Sequence, residues 1–153
     1  MSEHLAVGSE GRLVPVEEGE FAGWQTWNAD AFEQMAGPFY ERVEDDGSRV
    51  AAFRAEARHM NGAGFMHGGC MMTFADSALF TIAGDALKDD RGVTMNLSGD
   101  FLDAARVGQL IEARGEVTRQ GGRVIYVRGL VTADGTPVLS FTGIIYKVGK
   151  RAG

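Results

Sequence analysis

One cysteine, Cys70, stands in the 153 residues, so no disulfide can form within the chain. Histidine is nearly as scarce. His4, His59 and His67 share no metal-ligand spacing, and neither a His-Glu-x-x-His nor a paired-cysteine motif is present. No metal or redox cofactor is expected. Basic residues are outnumbered, 15 Lys and Arg against 21 Asp and Glu, for a net charge of −6. That argues against non-specific nucleic-acid binding, which needs a basic surface, but leaves room for an anionic ligand held by a few local arginines. Long hydrophobic runs are missing too: no stretch approaches the roughly 18 uncharged apolar residues of a membrane span. Residues Met1–Gly8 carry neither a basic start nor an apolar run, so no secretory signal is expected and the expected location is cytoplasmic.

What is present suits one domain. Apolar residues make up 44% and charged residues 24%, and a chain of this size buries roughly two-thirds of its unfolded surface. Glycine is in excess, 22 residues, about twice the usual share. These glycines are scattered rather than repeated, which points to turns, bulges and close backbone approaches. Residues 1–20 read as a loose N-terminal arm and 21–153 as a single domain. Between Phe21 and Phe39, Asp30 is placed to cap a short helix over Ala31–Met35, closed by Gly37-Pro38. Trp24 and Trp27 read as packing on the domain.

Two strands follow. Phe39–Val43 leads into the turn signal Asp45-Asp46-Gly47, and Arg49–Arg58 alternates apolar with charged residues. Gly68–Leu87 has few β-branched residues and is apolar almost all round, which predicts one long helix buried on most faces. Four strands come after it. In the first, Val93, Met95 and Leu97 alternate with Thr94, Asn96 and Ser98; Thr94 could position water, but the pattern favours a solvated polar face. Hairpin signals at Gln120-Gly121-Gly122 and Asp134-Gly135 make this group antiparallel. A long apolar helix beside one antiparallel sheet should pack across its face, an α+β arrangement.

The chemistry concentrates around that helix. Asn61-Gly62-Ala63-Gly64-Phe65-Met66-His67-Gly68-Gly69 runs straight into it, and first-turn amides can hold an anion or a developing oxyanion. A plain loop with glycines in tight turns is the alternative. His67 reads best as a side chain that fixes this loop, and Cys70 as a small core residue. Asp76 sits within the apolar helix, where an unused carboxylate is costly, although serine or threonine donors could hold it for packing alone. Gly68 and Asp76 are eight residues apart, about 12 Å of helix. A reacting group must come within about 3 Å of its target, or one water away. Two copies around a two-fold axis could bring Asp76 of one chain to Gly68 of the other.

Taken together, Asn61-x-x-Gly64-x-x-His67-Gly68-Gly69 followed by Asp76 resembles the hotdog-fold acyl-CoA thioesterases, in the PaaI-type group named for phenylacetate catabolism. The resemblance continues through Gly92–Leu97 and Phe101–Gly108 and covers about residues 59–148. It implies a five- or six-stranded antiparallel sheet wrapped around the long helix, with sheets paired edge to edge in a homodimer and dimers joined into a homotetramer. The Gly68 amide would polarise the thioester carbonyl, with Gly69 beside it. Asn61 and His67 would shape the loop, and Asp76 of the partner chain would act as base or nucleophile. Thr94 would orient water. The CoA phosphates could meet Arg119 or Arg123, although a solvated hairpin accounts for both. The expected reaction is hydrolysis of an aryl, arylacetyl or medium-chain acyl-CoA. The rivals are a non-catalytic acyl-CoA-binding module and a hotdog dehydratase or hydratase. The departures from the group are the Trp-containing N-terminal segment and Phe65-Met66 within the loop.

Overall fold

The computed structural model describes residues 11–150. Eight antiparallel strands form one sheet: β1 Leu13–Pro15, β2 Gln25–Trp27, β3 Tyr40–Val43, β4 Arg49–Arg54, β5 Asp90–Phe101, β6 Leu110–Gln120, β7 Val124–Ala133 and β8 Thr136–Lys150. Their order is β1-β2-β3-β4-β6-β7-β8-β5. Helix α1, Ala31–Ala36, precedes β3, while α2, Gly68–Ile82, and the single turn α3, Gly84–Leu87, separate β4 from β5. The sheet therefore has more strands than expected, because the N-terminal segment supplies β1 and β2. The expected loose arm is corrected accordingly. Its residues 1–10 lie outside the described residues, whereas Leu13–Pro15 pairs with Gln25–Trp27, so backbone hydrogen bonds tie that part down.

The short helix forms as its sequence predicts: the Asp30 carboxylate accepts the Glu33 N–H at 3.2 Å, and Gly37 caps the other end. The long helix is shorter than predicted. It is interrupted at Ala83, leaving 15 residues in α2, about 22 Å. The expected strand over Arg49–Arg58 ends at Arg54. Beyond it the His59 ring accepts the Glu56 N–H at 3.0 Å, and Ala57–His59 closes into a 3-10 turn.

Met71, Phe74, Ala75, Ala78 and Leu79 form the buried face of α2 and meet β4, β6, β7 and β8. Phe39, Phe53 and Phe74 cluster there with ring centroids 4.8–5.1 Å apart. Such tilted contacts add to the area they bury. Gly143 on β8 explains how helix and sheet come so close, since a Cβ there would lie 2.4 Å from Leu79 Cδ1.

A bulge in β5 overturns one sequence expectation. Thr94 pairs with Ile145 but Asn96 with Ile144, so Met95 is the extra residue and the side-chain alternation slips. Val93 and Met95 are 49% and 57% exposed, while Thr94 and Leu97 turn inward. The face read as solvated therefore carries Thr94 toward α2.

Candidate active site

The entrance to α2 is built by its own side chains. Asn61 Oδ1 accepts the N–H groups of Ala63 and Phe65 at 2.9 and 3.1 Å. Its backbone bonds Phe65 and Gly64, and Gly64 takes φ +86°, a left-handed conformation that favours glycine. His67 is the N-cap of α2, and its Nδ1 accepts the Gly69 N–H at 2.9 Å. The Gly69 amide is thus occupied, whereas the Gly68 N–H, at the first helical position, has no acceptor within α2. The Phe101 ring lies over Gly68, 3.3 Å from where a Cβ would stand. Phe65, Met66, Met71 and Leu102 complete a groove of about 410 Å³ around it.

Asp76 faces a different and larger cleft, about 860 Å³, which Gly69 also lines. The Thr94 hydroxyl donates to Asp76 Oδ1 at 2.5 Å. On the next turn positions, Ser77 donates to Glu33 Oε1 at 2.6 Å and Thr81 to Glu41 Oε2 at 2.8 Å. Burial pushes both glutamates above the usual carboxylate range, and the hydroxyl donors pull them partly back. Trp27, Phe39, Phe80 and Leu97 provide apolar wall.

Within one protomer, then, Gly68 and Asp76 open into separate cavities. Asn61, His67, Gly68 and Gly69 come together at the helix entrance; Asp76 and Thr94 come together at its middle. Arg123 joins neither group. It lies in the β6–β7 connection, 3.4 Å from the Tyr146 hydroxyl, and lines neither cavity. Cys70 is half-buried against the core, and burial pushes its thiol up, away from the thiolate a nucleophile needs. Sequence reasoning passed over Glu33, Ser77, Glu41 and Thr81. A signal was available: Thr73, Asp76, Ser77 and Thr81 recur at helical spacing, a polar stripe along a helix otherwise read as apolar all round.

The sequence pattern of the thioesterase superfamily matches residues 63–140, just over half of the chain. The chain belongs to that superfamily. A Pseudomonas aeruginosa relative, provisionally named an esterase, is 34% identical over 91 residues, 59% of this chain and 68% of its own. Among solved structures, a mutant of the phenylacetic acid degradation protein PaaI from Thermus thermophilus superposes with a TM-score of 0.67 at 26% identity, covering 78% of this chain and 100% of that one. A Bacillus halodurans protein solved with CoA superposes at 0.66 and 25% identity, over 72% of this chain and 74% of that one. The thioesterase described here has the hotdog fold and is a thioester hydrolase.

Proposed function

We propose that the protein hydrolyses an acyl-CoA thioester to a free acid and CoA at a site shared by two protomers. Asp76 of one and the Gly68 amide of the other act on the same carbonyl. The observation that carries this reading is the Asp76 carboxylate held by Thr94 in a large cleft, on a helix whose entrance leaves the Gly68 N–H without an intrahelical acceptor. The superfamily match and the CoA-containing neighbour support the thioester and its carrier. The aromatic walls of the cleft suit an aryl, arylacetyl or medium-chain acyl group.

Asp76 takes a proton from water as the water oxygen attacks the carbonyl carbon. The carbonyl electrons move onto oxygen, where the Gly68 N–H and the positive end of the α2 dipole stabilise the developing charge. Collapse expels the CoA thiolate, which receives the proton held by Asp76. Direct attack by the carboxylate, followed by hydrolysis of the anhydride, uses the same groups. Support for the second protomer comes from β5, which among the described residues ends the sheet with one edge unpaired and carries exposed Val93 and Met95.

Free thiol released from a panel of short, aromatic and medium-chain acyl-CoAs tests the proposal. Release is expected from at least one, and Asp76→Ala should lower kcat by about 10³-fold or more while the fold persists. Thioester binding without thiol release would leave a binding module instead.

A further inference from the structure

We infer that Glu33 is a specificity-determining residue that makes the acyl cleft select against acyl groups carrying a terminal carboxylate. The inference deepens the reading above and rests on it, since the acyl group must enter the Asp76 cleft. Helix α1 lays Glu33 across α2, where its Oε1 accepts the hydroxyl of Ser77, the residue after Asp76. Both Glu33 and Asp76 line the cleft, so an acyl chain bonded to a carbonyl at Asp76 passes beside Glu33.

The charges around the cleft are unevenly placed. Asp30, Glu33, Glu41, Asp76 and Asp90 line it, against Arg49, Lys88 and Arg91. Arg49 is engaged by Asp85 at 2.8 Å and by Glu41 at 3.9 Å. Lys88 and Arg91 are exposed and follow the far end of α2. The charged groups acting on Glu33 are Asp30, Asp76 and Glu41, all of its own sign, and its hydroxyl partner is neutral. A further carboxylate brought beside Glu33 would meet repulsion in a partly desolvated space, and among the described residues no cation acts on Glu33 to offset it. An uncharged acyl group of equal length meets Trp27, Phe39, Phe80 and Leu97.

Matched substrates isolate this effect: butyryl-CoA against succinyl-CoA, and octanoyl-CoA against suberyl-CoA, each pair equal in carbon number and differing in the terminal carboxylate. The readout is the ratio of kcat/KM within a pair. The wild-type protein should favour the uncharged partner by about a hundredfold. Glu33→Gln keeps the shape and an acceptor for Ser77, and should narrow the ratio by about tenfold; Glu33→Lys should narrow it further. Equal wild-type rates within each pair would overturn the inference without any variant, as would a ratio that neither substitution moves while hydrolysis continues. If the wild-type protein released no thiol from any acyl-CoA, the parent reading would fall, and this one with it.

Discussion

Asp76 was legible because a carboxylate inside an apolar helix turn has to be paired or used, and that is a property of the residue and its neighbours in sequence. Thr94 was not. Its orientation depends on one extra residue, Met95, which shifts the β5 alternation and turns the Thr94 hydroxyl onto Asp76 at 2.5 Å. A period-two reading assigns the opposite face. The bond makes a prediction of its own. Thr94→Val keeps the size and removes the donor, leaving Asp76 without the hydroxyl that holds it. We expect kcat to fall about ten- to a hundredfold with KM little changed, and Thr94→Ser to retain most activity. Steady-state kinetics of the two variants decide it. Activity kept in Thr94→Val and lost in Thr94→Ser would mean that the methyl group, rather than the hydroxyl, matters.

Among the elements, α2 was foreseen in place and burial but not in its polar stripe, because the stripe acquires meaning only when α1 and β3 bring Glu33 and Glu41 to it. The 3-10 turn over Ala57–His59 was read as the end of a strand, since nothing in a short alternating run announces where a side chain will capture the backbone. His59 is that side chain. Buried, it accepts the Glu56 N–H through Nδ1 and donates from Nε2 to the Ala36 carbonyl at 2.8 Å, linking the turn to the end of α1. Burial, the largest influence, lowers its pKa. The folded state therefore resists protonation more than the unfolded chain does. The stabilising contribution is fully present above the unfolded pKa, about 6.5, and is lost as pH falls below it toward the lowered folded value. Glu33 and Glu41, pushed up, act in the opposite sense: their contribution is present below the unfolded value and fades as pH rises. Comparing the wild-type protein with His59→Gln separates the two. The gap in melting temperature should be widest at pH 7.5 and narrow by pH 5.5; a constant gap would show that His59 binds protons equally in the folded and unfolded states.

For the whole molecule, the decisive fact is that Gly68 and Asp76 of one chain open into different cavities. A shared site then has an arithmetic consequence. Proline suits the first helical position and removes the N–H there, so Gly68→Pro should abolish hydrolysis while keeping the start of α2. Asp76→Ala should abolish it by the other half of the site. Mixed and allowed to exchange subunits, the two inactive proteins form dimers in which one site is wholly intact and the other doubly damaged. About a quarter of wild-type activity should return. Exchange demonstrated by mass, with no activity recovered, would place each site within a single chain.

The sequence by itself determined the helix entrance. Asn61, Gly64, His67 and Gly68 lie within eight residues and are held by local turns and a cap whose geometry is set by backbone sterics and short-range hydrogen bonds. It also determined the family and, through alternation and turn signals, most of the last three strands. Tertiary structure alone decided which face of β5 looks inward, that residues 13–15 join the sheet, and that Glu33 and Glu41 reach α2. Each of those rests on pairings across 10 to 44 residues or on a slip of one position, and neither distance nor register is encoded in a local pattern.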